Sequence, residues 1–323
     1  MTSHARTHDL TLEHVAGRDR RALLATALFL AASSLGLSGC SGPSADEDRA
    51  LARLERLIFV PPGVCSLGLG GLDCSNEDAL LVDRYEVTRR EWIAHLALSP
   101  KLANGPAESV WGRWDPDSGT LPATFMTQRE ALDFAALEGM RIPSQREWLR
   151  ISAGTRAQPW PWGTSPARSV ANTLDLGITG ALGVGTFEAG ATPSGVYDLI
   201  GNAREWVTIE GSESATSELA AAMGGSWLSH QEPIFDWDQT KGLRLAALDV
   251  DHRHRSIDLG VRLVASAEEY LKTEASSWGA SPNSAERVRA VGERWGRPAE
   301  ELLLRLSVGG ERSILWLLEG TQR

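Results

Sequence analysis

The sequence predicts an α+β domain with little regular secondary structure, followed by a small helical appendage. Three observations predict it. Ser/Thr-x-x-Glu signals open three short amphipathic segments, at Thr88–Glu91, Thr127–Glu130 and Ser144–Glu147. Short apolar runs, each the length of a strand, lie before and after them. From Ala157 to Gly195 periodicity disappears, and Pro159-Trp160-Pro161-Trp162-Gly163 suits neither a helix interior nor a central strand.

Taken in order, Leu57 to Gly68 (LIFVPPGVCSLG) reads as a strand, a turn and a return strand, and Leu80 to Val87 as another strand. The helix after Thr88 carries Trp92, Ile93 and Leu96 on one side. The helix after Thr127 carries Ala131, Phe134, Ala135 and Leu137 and stops near Gly139. The helix after Ser144 carries Trp148, Leu149 and Ile151 and stops at Gly154. Ala222 to Leu228 (AMGGSWL) reads as a strand with glycines for close backbone approach, and Gly260 to Val264 as a final buried strand. In the tail, Asn283 and Glu286 resemble a capping box, with Val288, Val291 and Trp295 on one face and Gly296 as the stop. Pro298 suits a first helical turn that precedes Leu302, Leu303 and Leu306, and Ile314 to Leu318 is short and apolar. Residues 266–323 are thus expected to be a helical extension packing on the domain, with a docking surface as the alternative.

The chain has 323 residues and a formal net charge of -10, an acidic balance that argues against nucleic acid as a partner. Arg18, Arg20 and Arg21 precede an apolar run from Ala22 to Leu37 that is short for a membrane span and ends in Leu37-Ser38-Gly39-Cys40. This order resembles a bacterial lipoprotein signal over residues 1–39, with Cys40 lipidated. The expected place is the cell envelope, anchored to a membrane by lipid; Ser41 after the cysteine suggests the outer membrane. The paired arginines leave general or twin-arginine export open. Residues 40–56, which begin Cys40-Ser41-Gly42-Pro43, read as a polar tether. Cys65 and Cys74 are the remaining cysteines, and outside the cytoplasm they are expected to pair; the alternative is a buried thiol.

The stretch with the most chemistry is Gly195 to Trp206 (GVYDLIGNAREW). Asp198 and Glu205 bracket a turn built on Gly201 and Asn202. Two carboxylates with inward backbone carbonyls suit a hard, oxygen-preferring cation; a plain turn with solvated acids is the alternative. Arg204 repels a cation and is expected to meet an acid or solvent. Twelve tryptophans against three tyrosines suggest aromatic cores beneath loops.

In sequence order, FVPPGVCSLG, VDRYEVTRREW, RIPSQREWLRISAG, PWPWG, VANT, GVYDLIGNAREW, MGGSW and GVRLV resemble the sulfatase-modifying factor domain, the formylglycine-generating enzyme family, over about residues 57–265. The resemblance implies a C-type-lectin-like α+β fold rich in loops. It implies structural calcium held by Asp198, Gly201, Ala203 and Glu205, and a second ion at Asn172 and Thr173, whose later acidic ligand has no clear counterpart; Asp175 or Glu188 could substitute. The oxidising members hold copper through two cysteines, and the matching positions here are Ser229 and Ile234. Copper(I) needs soft thiolates, so copper is not expected. A related branch uses iron held by a histidine-bearing helical domain; no such helix is present in the sequence, and iron is not expected either. The family groove lies along MGGSW, which makes Ser226, Trp227, Ser229 and His230 the candidate contacts for a protein or peptide ligand. The alternative is an oxidase using non-standard ligands.

Two further constellations stand in the sequence. His252 and His254, with Asp251 and Asp258, could hold a divalent metal, although neighbouring arginines oppose it. Ser229 and His230 could form a nucleophile pair oriented by Asp236 or Asp238, although adjacent residues of a strand face opposite ways.

Overall fold

The computed structural model describes residues 44–67, 72–96, 116–209, 219–238, 242–279 and 281–308. The apolar run 22–37, Cys40 and the Ile314–Leu318 segment lie outside the described residues. The described residues belong to one compact unit. Among the described residues no helix is long and apolar enough to cross a membrane.

The first described element corrects the tether reading. Residues Ala45–Arg56 form helix α1, capped by Ser44, whose hydroxyl accepts from the Glu47 amide while the Glu47 carboxylate accepts from the Ser44 amide. Leu51 and Leu54 are buried on its inner face. Strand β1 (Leu57–Val60) follows directly and pairs antiparallel with β4 (Leu80–Asp83). Between them β2 (Ser66–Leu67) and β3 (Leu72–Asp73) make a small hairpin that a Cys65–Cys74 disulfide closes, as the cysteine spacing predicts.

Helices α2 (Arg89–Leu96), α3 (Gln128–Leu137) and α4 (Gln145–Ala153) begin where the three Ser/Thr-x-x-Glu signals place them. A four-stranded sheet carries the second half. Its order is β10 (Leu259–Gly260), β5 (Arg204–Val207), β6 (Leu219–Met223) and β9 (Ala247–Asp251), with β10 and β5 parallel and the other neighbours antiparallel. Strands β7 (Phe235–Asp238) and β8 (Gly242–Leu245) form a separate hairpin. Strand β11 (Val264–Ser266) returns to the first sheet beside β4. The segment read as a glycine-bearing strand is strand only to Met223; Gly224 and Gly225 take φ of +89° and +67° and turn the chain out of the sheet.

Two cores lie on either side of this frame. Trp92 stacks on Phe134 at 5.1 Å in the first, which also holds Trp206 and Trp278. Trp148 and Trp160 sit in the second, and Trp160 stacks on Trp162 at 5.3 Å, so the aperiodic Pro-Trp segment is held by aromatics. The C-terminal extension continues as α5 (Ala267–Glu274), α6 (Pro282–Trp295) and α7 (Arg297–Val308). The cap of α6 is Ser281, not Asn283, because Pro282 occupies its first turn. The extension closes on α1: Arg287 bonds Glu55 at 2.6 Å, and Trp295 Nε1 donates to the Leu57 carbonyl at 2.9 Å.

Candidate functional site

The two carboxylates of the Gly195–Trp206 stretch, Asp198 and Glu205, are buried. Glu205, on β5, points away from Trp206 because neighbours on a strand face opposite ways. Trp148 Nε1 donates to Glu205 Oε2 at 2.7 Å, and Arg262 donates to Glu205 Oε1 from Nε at 3.0 Å and from Nη2 at 2.6 Å. Arg262 also donates to the carbonyls of Asp83 at 3.0 Å and Tyr197 at 2.6 Å. Burial works against the Arg262 charge, but Glu205 at contact distance holds its pKa above the ordinary value.

Glu86 joins this cluster, although no motif in the sequence marks it. It sits in the loop after β4 and accepts from the Ala203 amide at 2.8 Å and from Asn202 Nδ2 at 2.7 Å. Asp198 accepts from the Gly185 amide at 2.6 Å. Burial raises the Glu86 pKa well above the carboxylate range, and Asp198 and Glu205 push it further. Burial likewise pushes Asp198 up to about 6, with the Gly185 amide and Arg262 opposing. Three buried carboxylates share one guanidinium, so the cluster carries surplus negative charge that a proton or a cation would offset.

Asn172 lies against this turn. Its carbonyl accepts from the Asn202 amide at 2.7 Å, and its Nδ2 donates to Asn202 Oδ1 at 3.1 Å and to the Gly180 carbonyl at 2.9 Å. Its Oδ1 is buried and has no hydrogen-bond partner. Gly201 makes the approach possible: a Cβ there would stand 2.4 Å from the Asn172 carbonyl oxygen.

These groups answer the question of fit to calcium atom by atom. The orphaned Asn172 Oδ1 and the charge surplus at Asp198 suit a hard cation. Glu205 already has both oxygens bonded, and an ion there would share it with Arg262. Asp175 is committed elsewhere, to His230 Nδ1 at 2.7 Å and the Gln231 amide at 2.7 Å. Among the described residues no three His, Cys, Asp or Glu side chains converge as a metal cluster.

The candidate contacts divide. Ser226 is fully buried and corrects its assignment as a surface contact: its Oγ donates to Asp258 Oδ2 at 2.6 Å. Arg204 meets that same carboxylate at 3.0 Å, as expected of an arginine set between the turn and a sheet. Trp227 is half-buried, and its amide donates to the Asn202 carbonyl at 3.2 Å. Ser229 and His230 do line a cleft of about 330 Å³, together with Arg204, Gly225 and Arg244. Ser229 Oγ is locked inside its own turn, 2.7 Å from the Ser226 amide and 3.0 Å from its carbonyl. The Ser–His nucleophile pair does not form, because the hydroxyl serves the turn and the imidazole serves Asp175. Ile234 is fully buried in the second core. A turn-bound hydroxyl and a buried aliphatic chain do not fit copper(I), and Cys65 and Cys74 are consumed by their disulfide. The His252–His254 segment is a turn in which the Arg253 amide donates to Asp251 Oδ1 at 2.7 Å, while Asp258 faces Ser226 and Arg204 instead.

The sulfatase-modifying factor enzyme 1-like domain family matches residues 44–267, more than half of the chain. An inactive C-alpha-formylglycine-generating enzyme 2 from Bos taurus is 27% identical over 119 residues, covering 33% of this chain and 39% of that protein. A hercynine oxygenase from Mycolicibacterium thermoresistibile is 25% identical over 240 residues, covering 64% of this chain and 52% of that one. The chain thus spans about half or less of the length of these relatives. Among solved structures, Treponema denticola variable protein 1 superposes with a TM-score of 0.50 at 15% identity, over 65% of this chain and 94% of that one, a likeness of fold alone. The match begins at the cap of α1 and ends as α5 starts, and the chain belongs to the sulfatase-modifying factor family of formylglycine-generating-enzyme-like domains.

Proposed function

We propose that this protein is an envelope-anchored lipoprotein whose domain binds a protein or peptide segment without oxidising it. One observation carries the reading. The cleft beside Gly224 and Gly225 is formed, yet the positions that match the family's paired sulfurs hold a turn-locked Ser229 and a core Ile234. The Bos taurus relative described as inactive supports a non-catalytic use of such a domain. The ligand would enter along Ser229 and His230, with Arg244 exposed on the opposite strand β8.

Calcium is part of the proposal as a structural ion. Asp198, the Asn172 side chain and nearby carbonyls of Thr173, Gly201 and Ala203 would hold it, and Glu205 would share its charge between the ion and Arg262. The ion would supply positive charge to an interior that has too little.

The oxidase reading, to which the hercynine oxygenase likeness lends some support, makes the opposite prediction. Purified protein supplied with copper or iron and a cysteine-containing peptide is expected to consume no oxygen above the metal-only control. Sustained, stoichiometric thiol oxidation by the protein would overturn the binding reading.

A further inference from the structure

Arg150 occupies an unusual position on α4. Only 4% of the residue is exposed, and no ion pair with a carboxylate reaches it among the described residues. Its Nε donates to Asn76 Oδ1 at 2.8 Å and its Nη2 to the Pro61 carbonyl at 3.0 Å. Gly63 leaves it room, since a Cβ there would stand 2.8 Å from Nη2. Both partners are neutral. Burial, with no acid to offset it, lowers the Arg150 pKa. Among the described residues the other fully buried arginine, Arg262, is matched by Glu205, and the half-buried Arg53 by Asp83.

Arg150 also lines a cavity of about 230 Å³ that the cleft beside Ser229 does not share. The cavity lies between the end of β1, the end of α4 and the turn at Thr192–Ser194. Its walls are mainly apolar, with Phe59, Val60, Ile151 and Pro161 among them. Thr192 and Ser194 supply hydroxyls 2.9 Å from each other. Nη1 of Arg150 makes no hydrogen bond to the protein among the described residues. Pockets for drug-sized ligands run to roughly 300–1,000 Å³, so this one suits a smaller molecule.

A buried guanidinium without a counter-charge, in a pocket of apolar walls, defines a ligand by complementarity. The head must be anionic and planar enough for an arginine fork, and the body must be apolar. From this we infer that the cavity at Arg150 is a binding site for a small carboxylate with an apolar body, separate from the family cleft. The carboxylate could belong to a free acid or to the C-terminus of a peptide.

The test uses the full chain and direct titration followed by NMR or calorimetry. The probes are benzoate, its neutral analogue benzamide, inorganic phosphate, and one dipeptide with either a free or an amidated C-terminus. Benzoate or the free-acid dipeptide is expected to saturate the site, and benzamide and the amide are not. Arg150→Lys, which keeps the charge but loses the fork, is expected to weaken binding at least about tenfold. Ser194→Trp, at the exposed rim, is expected to abolish binding while the melting temperature stays unchanged, which separates occlusion from unfolding. Binding by benzoate alone assigns a free acid, and binding by the dipeptide alone assigns a chain end. If no carboxylate saturates the wild-type protein, if phosphate alone does, or if both variants bind as the wild type does, the inference is overturned.

Discussion

Arg262 Nη2 stands 2.6 Å from Glu205 Oε1 in an interior where neither side chain is reached by solvent. The pair joins the link between β10 and β11 to β5, and Trp148 Nε1 fixes the second carboxylate oxygen from α4. Removing one partner leaves the other charged, buried and unpaired. Arg262→Met is therefore expected to destabilise the domain by about 3–5 kcal/mol, and Glu205→Gln to act in the same direction. Chemical denaturation of each variant checks this, and a loss below about 1 kcal/mol for Arg262→Met would show that the interior relaxes around the lone carboxylate.

Asp198 distinguishes a protonated interior from a calcium-filled one by the sign of a single substitution. In chelator, Asp198→Asn relieves a carboxylate whose pKa burial has driven up to about 6, and it should leave the melting temperature equal or higher at neutral pH. In calcium the same change removes a ligand and should lower it. An ion present at a hundred times its Kd stabilises by about 2.7 kcal/mol, and the variant should forfeit most of that gain. Melting temperatures that do not respond to calcium in either protein would count against the ion.

His95 gives the fold a pH dependence of its own. Its Nε2 lies 2.6 Å from Glu138 Oε1 and its Nδ1 3.0 Å from the Glu91 carbonyl, two acceptors that call for two N–H donors. The Glu138 carboxylate raises its pKa first, burial opposes, and the Glu91 carbonyl adds to the rise. A histidine with a raised folded pKa contributes stability that is complete below its unfolded pKa of about 6.5 and is lost as pH climbs through the folded value. Denaturation midpoints should therefore fall on the alkaline side of that window, and His95→Gln should flatten the fall. Since His95 is partly exposed, the effect is expected to be small, and an identical pH profile in the variant would remove His95 as its cause.

Much of the fold was legible because its signals are local. A capping box needs only four residues, and Thr88, Thr127 and Ser144 each start the helix that their spacing predicts. The same signal stands at Ser44 and Glu47, but the charged run Asp46-Glu47-Asp48 makes residues 40–56 look like a solvated tether. The candidate site was legible only where side chains stay close in sequence. Asp198 and Glu205 flank their own turn, whereas Glu86 and Arg262 reach the same cluster from distant parts of the chain, Glu86 from the loop after β4 and Arg262 from the link between β10 and β11. Ser226 was misplaced because the sequence does not reveal that Gly224 ends the strand and turns its hydroxyl inward onto Asp258. Arg150 gave no signal at all, since an arginine in an amphipathic helix ordinarily faces water.

Helix α1 provides the last expectation. Leu51 and Leu54 are buried within the first core, and the helix is clasped from the other end of the chain by Arg287 at Glu55 and Asp48. If residues 44–56 are part of the domain, a core truncation there must behave like one elsewhere. Leu54→Ala is expected to cost about 2–5 kcal/mol, and Ser44→Ala about 1 kcal/mol through loss of the cap. Arg287→Ala should cost much less, because that pair is open to solvent on one side. A tether would show none of this ordering. Equal, near-zero changes in denaturation midpoint for all three variants would return α1 to the status of a linker and move the domain boundary to Leu57.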